Sequence, residues 1–126
     1  MRKISLLLVL LVSGLAYAAP LKLKTGSLMT DKTATGAGST YGPATSGEKT
    51  FQATVTGSGS VSATVLIQVS NDPDNLGWVT LGTITLSGTT TDTDGFASQA
   101  GWSYYRANVS AISGTSASVD VTVSQE

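Results

Sequence analysis

Residues 50–69 read Thr50-Phe51-Gln52-Ala53-Thr54-Val55-Thr56-Gly57-Ser58-Gly59-Ser60-Val61-Ser62-Ala63-Thr64-Val65-Leu66-Ile67-Gln68-Val69. Phe51, Ala53 and Val55 alternate with Thr50, Gln52 and Thr54, and Val61, Ala63, Val65, Ile67 and Val69 again take every second place. A strand sends successive side chains to opposite faces, so this pattern predicts strands with one buried face. Gly57-Ser58-Gly59 reads as a turn, which makes the two runs adjacent antiparallel strands.

The same pattern continues toward the C-terminal side. A polar loop, Asn71 to Gly77, leads to Trp78-Val79-Thr80-Leu81, and Gly82 marks a bulge because the apolar phase then passes to Ile84 and Leu86. Ser87 to Asp94 is turn-like. Tyr105, Ala107 and Val109 face inward, with Tyr104, Arg106 and Asn108 outward. Ser113-Gly114-Thr115 reads as a further turn, and Ala117, Val119, Val121 and Val123 complete the buried face. No segment after residue 18 has the spacing of an amphipathic helix. Six to eight short strands with frequent turns predict an all-β fold, a single antiparallel β-sandwich of jelly-roll or immunoglobulin-like topology, over residues 47–126.

Residues 19–46 are rich in Lys, Thr and Gly and read as a polar arm with an edge strand, or as a tether. Leu21 and Leu23 alternate there with Lys22 and Lys24, and Tyr41 precedes a Gly42-Pro43 turn. Residues 1–18 differ from the rest. Arg2 and Lys3 precede an apolar run from Ile4 to Leu15, and Ala16-Tyr17-Ala18 follows, the layout of a signal peptide cleaved before Ala19. The run is shorter than the roughly 20 residues that cross a bilayer as a helix. A retained hydrophobic anchor is the alternative, and it would be the chain's one route to a membrane.

Without the leader the net charge is about −3, against −1 for the whole chain, and no basic cluster offers a phosphate-binding surface. Nucleic acid is therefore not an expected partner. The chain has no cysteine, so packing and strand pairing must hold it together. It also has no histidine, which removes the commonest general base as well as the usual zinc ligands. A Ser-Lys pair is the remaining route to a nucleophile, but Lys22, Lys24, Lys32 and Lys49 all sit in the polar N-terminal part. The expectation is a protein that is not an enzyme and carries no cofactor.

Asp92 and Asp94 could share a strand face as a carboxylate pair, although Asp94-Gly95 reads more simply as a turn. Asp72, Asp74 and Asn75 place oxygen ligands close together, a weak calcium candidate without the EF-hand pattern. Core packing accounts for Trp78 and Tyr105. Trp102, Tyr104 and Arg106 are the candidate ligand or partner contacts: the phase leaves Trp102 and Tyr104 open between the core and a sugar-stacking platform. Arg106, between aromatic residues, would brace Tyr104 or an acidic neighbour.

Val65-Leu66-Ile67-Gln68-Val69-Ser70-Asn71-Asp72, followed by Trp78-Val79-Thr80-Leu81-Gly82, resembles the strand, turn and Trp strand of discoidin-like and other jelly-roll binding domains. With Asp94-Gly95-Phe96, Trp102 to Val109 and Ile112-Ser113-Gly114-Thr115 added, the chain is similar to short β-rich structural proteins of tailed bacteriophages and prophages. The similarity runs from Thr50 to Val123. It implies a virion component, head-decoration or tail-associated, acting by display and protein contact, with other virion or surface proteins and further copies of itself as partners. The leader departs from that pattern, since most virion proteins assemble in the cytoplasm and need no leader. An exported carbohydrate- or cell-surface-binding module is the alternative, and an extracellular filament or matrix subunit a second. The expected location is accordingly the virion, or outside the cytoplasm after cleavage.

Overall fold

A computed structural model describes residues 24–126 apart from Pro73, Asn75 and Leu76. The expected leader at residues 1–18, with Leu21 and Leu23, lies outside the described residues. Six strands make one antiparallel sheet: β1 (Lys24–Lys32), β2 (Gly36–Ala37), β3 (Lys49–Ser70), β4 (Val79–Gly88), β5 (Thr91–Ser98) and β6 (Tyr104–Gln125). The all-β, antiparallel expectation therefore holds.

The two longest strands correct the reading of Gly57-Ser58-Gly59 and Ser113-Gly114-Thr115. Neither is a hairpin turn. Residues 50–55 and 61–69 do not pair with each other; they are the two ends of β3, which runs beside β6 for its whole length, from Lys49↔Gln125 to Ser70↔Tyr104. The glycines are instead where this ribbon bends. The register breaks between Thr56 and Ser58, and again between Ser58 and Ser62. Gly59 and Gly114 take φ of 85° and 126°, in the left-handed region. A Cβ on Gly114 would come within 2.7 Å of the Ser60 carbonyl oxygen.

Each side of the bend carries its own flanking strands. Residues 49–56 pair with β5 and 119–125 with β1, whereas residues 61–69 pair with β4, and β2 joins the other end of β6 at Val109 and Asn108. The sheet doubles over on itself. Phe51 and Val69 are 18 residues apart along β3, about 60 Å for a straight strand. Yet the Phe51 ring lies 5.6 Å from that of Tyr105, whose Cα partner is Val69. Residues of period two from both halves thus meet in one interior: Phe51, Ala53 and Val55 with Val61, Val65, Ile67, Tyr105, Ala107, Val119, Val121 and Val123.

The expected bulge at Gly82 is present. Ile67 pairs with Gly82 and Gln68 with Thr80, which leaves Leu81 as the extra residue. A Cβ on Gly82 would fall 2.5 Å from the Phe96 ring, so glycine lets β4 close over β5. Ser87 to Asp94 spans the end of β4, a short connection at Thr89 and Thr90, and the start of β5; the two strands pair with opposite ends of β3 and not with each other, and Asp92, Asp94 and Gly95 lie inside β5 and not in a turn.

Residues 24–46 contribute to the interior. In β1, Ser27 pairs with Thr122 and Met29 with Val121, so Leu28 is an inserted residue, and both Leu28 and Met29 are buried. The Asp120 carboxylate holds the irregular end of β1 by accepting from the Asp31 N–H at 2.8 Å. Tyr41 forms an isolated bridge to Tyr105, each N–H donating to the other's carbonyl at 2.8 and 2.9 Å.

Candidate contact surfaces

Three places on the molecule gather the chemistry that the sequence singled out. The first is the outward face of β3, β4 and β6. Register places Val79 opposite the inward-facing Val69, so Trp78, one residue earlier, faces out. The expectation that Trp78 packs in the core is thereby corrected: it is half-buried outside the core, beneath the Arg106 guanidinium, which lies 4.3 Å from its ring centroid. The Nε–H of Arg106 donates to Gln68 Oε1 at 2.8 Å, fixing the planar group over the indole. Arg106 thus braces Trp78 and Gln68, where Tyr104 or an acid was expected. Partial burial pushes its proton affinity down from the ordinary guanidinium range. Leu66 and Asn108 continue this face, and Tyr104 lies at its end, against Gly42.

The second place is the end of the domain where residues 40–49 cross the start of β1 and the end of β6. Lys49 is fully buried. Its ammonium donates to the carbonyls of Thr45 at 2.8 Å and Gly47 at 3.2 Å, and stands 5.3 Å from the Tyr105 ring centroid. Desolvation pushes its pKa down. The Tyr105 hydroxyl donates to the Ala100 carbonyl at 2.8 Å and accepts from the Trp102 N–H, and burial pushes its pKa up. Gln125, paired across β6 with both Lys24 and Lys49, donates through Nε2 to Thr45 Oγ1. Its Oε1 is buried without a hydrogen-bond partner among the described residues. An unmet acceptor of that kind costs about 1–3 kcal/mol.

Two hollows open at this end. One, of about 270 Å³, has Lys24, Tyr41, Pro43, Thr45 and Gln125 in its walls. The other, of about 90 Å³, has Trp102, Ser103 and again Thr45. Trp102, with the phase open between core and platform, is partly buried against the core and lines the smaller hollow. Trp102, Tyr104 and Arg106 therefore do not form one platform. Arg106 belongs to the Trp78 face, Trp102 to the hollowed end, and Tyr104 lies between them.

The third place comprises the acidic residues. Asp92 Oδ2 accepts from the Ser87 N–H at 2.8 Å and its Oδ1 from Thr93 N–H at 3.0 Å, while Asp94 Oδ1 accepts from Gly95 N–H at 2.8 Å. These carboxylates are engaged with backbone along β5, which pairs on one side only. In the loop after β3, Asp72 N–H donates to Ser70 Oγ, and Asp72 Oδ1 accepts from the Asp74 N–H at 3.2 Å. Asn75, the third calcium candidate, lies outside the described residues. Among the described residues no three His, Cys, Asp or Glu side chains gather as a metal site would require.

No family model, curated protein or solved structure matches this chain.

Proposed function

We propose that this chain is a non-enzymatic structural protein of a phage or prophage virion, a small β-sandwich of the head-decoration or tail-associated kind, working by display and protein contact. The doubled sheet is the sandwich in this reading, and the segment before Lys24 delivers or anchors it. The observation that carries the contact function is Trp78 held face-on beneath Arg106, with Gln68 locking the guanidinium. Tryptophan, arginine and tyrosine are the side chains that most often dominate protein contacts, because each offers a large, stiff surface together with a polar handle. A pre-ordered Trp-Arg stack on an outward sheet face loses little freedom when a partner covers it. Many copies on one particle add avidity to a weak single contact.

The filament alternative finds less support. Strand addition needs a long, regular, unpaired edge. Here β1 is broken by two register shifts, β4 carries the Leu81 bulge, and Asp92 and Asp94 occupy backbone N–H groups of β5.

The test is mass spectrometry across a density gradient of culture supernatant, with the wild-type chain and Trp78→Ala compared. The expected result is co-migration with phage-sized particles and a drop in the bound fraction of Trp78→Ala of about tenfold or more. An N-terminal peptide starting at Met1 in the particle fraction would make the leader an assembly element. Only soluble protein beginning at Ala19 would reject the virion role and leave an exported binding module.

A further inference from the structure

The hollowed end of the domain has features that the contact function does not use. Gln125 is 7 % exposed and lines the larger hollow. Its amide has two polar ends, and among the described residues the only side-chain hydrogen bond to it is the one from Nε2 to Thr45 Oγ1. A threonine hydroxyl can donate or accept, so the amide could be turned over and still bond it. In either orientation one hydroxyl satisfies one end, and the other end stays enclosed behind the wall of the hollow.

The lining of the hollow is what indicates a ligand. Tyr41 and Pro43 bring apolar rings to the lining, Thr40 and Thr45 are hydroxyl residues, and Lys24 is a cationic one. Apolar planes beside an amide and hydroxyls suit a pyranose ring, whose C–H face and hydroxyl edge present both chemistries, and the cation suits a carboxylate on that ring. At about 270 Å³ the hollow is smaller than the usual pocket for drug-sized ligands, which favours a single ring. The adjoining 90 Å³ beside Trp102 corresponds to roughly three waters, room for a substituent but not for a second ring.

The wall itself is held in place. The two carbonyl bonds of Lys49 fix residues 45–47, and a Cβ at Gly26 would lie 2.9 Å from the Tyr41 ring, so glycine there lets the ring seat against β1. We propose that this hollow is a binding site for one acidic sugar residue, a pyranose carrying a carboxylate, as in the uronic-acid units of surface polysaccharides. The site stands whether or not the domain is carried on a particle.

Two-dimensional NMR titration of the full chain tests it, with methyl β-D-glucuronide, methyl β-D-glucoside and acetate as probes. The glucuronide is expected to give saturable shifts at the amides of Tyr41, Thr45 and Gln125, with Kd on the order of 1 mM. The glucoside should bind about fivefold to tenfold more weakly, and acetate should leave these amides unmoved. Lys24→Ala, an exposed position, should bring glucuronide down to the glucoside's affinity. Gln125→Leu should weaken both sugars, its spectrum elsewhere reporting whether the fold is kept. Absence of saturable shifts with glucuronide would overturn the proposal. So would equal response to acetate, which would mean a bare anion site, or shifts confined to Trp78 and Arg106.

Discussion

At the scale of single residues, Lys49 is the least expected side chain in the molecule. It sits in phase with Phe51, Ala53 and Val55, so the alternation that predicts the strand also points its side chain inward. That signal is masked in the sequence because a lysine beside polar neighbours is usually solvated. In the fold its ammonium has carbonyls and a ring for company. Its pKa is lowered by desolvation, so the folded chain releases this proton before the unfolded chain does. Between the lowered value and the ordinary 10.5 the unfolded state binds more protons, and stability rises with pH. The urea midpoint at about pH 9.5 is therefore expected to exceed that at about pH 7, and Lys49→Met should flatten the difference. Staying below pH 10 avoids Tyr105, whose raised pKa acts in the opposite sense above its ordinary value of 10.0. An unchanged slope in the variant would show that the rise comes from other groups. Trp78 was misplaced for a different reason: its phase depends on the Leu81 bulge and on where the loop ends, and a one-residue shift exchanges the two faces.

At the scale of elements, the buried faces were legible and the connections were not. Every inward position expected in residues 51–69 and 105–123 is buried, since a period of two needs only local sequence. Gly57-Ser58-Gly59 carries the same residues whether it closes a hairpin or bends a long strand. Only the partner strand decides, and that partner lies about 60 residues further along the chain. The hydroxyl-rich outer positions could not distinguish these cases either. The edge of β5 yields a test at this scale. Asp92→Ala with Asp94→Ala frees the N–H groups of Thr93 and Gly95, and light scattering should record more concentration-dependent association than in the wild type. The Asn pair retains an acceptor at each position and should stay closer to the wild type. Identical scattering from the Ala pair and the wild type would mean that β5 is guarded by something other than these carboxylates.

For the whole molecule, β3 and β6 pass through both halves of the doubled sheet, so the halves share two continuous strands and one interior. Phe51 ties the halves together, touching Phe96 at 5.2 Å and Tyr105 at 5.6 Å between ring centroids. Phe51→Ala should cost about 3–5 kcal/mol while leaving one cooperative transition, seen alike by tryptophan fluorescence and far-UV circular dichroism. Two separated transitions would mean that the halves are independent. The hollowed end was the least legible part, since Lys24, Tyr41, Thr45 and Gln125 are assembled from distant parts of the sequence with only the Gly42-Pro43 turn as a local sign. The pairing of Lys24 with Gln125 sets β1 and β6 side by side, so that the backbone from Lys24 to Gln125 nearly closes into a ring. A chain of this shape can be spliced into a loop of another protein without prising that loop apart. It can equally be joined across Lys24 and Gln125 and cut open at Thr89-Thr90, keeping every ladder while the order of its strands is rewritten.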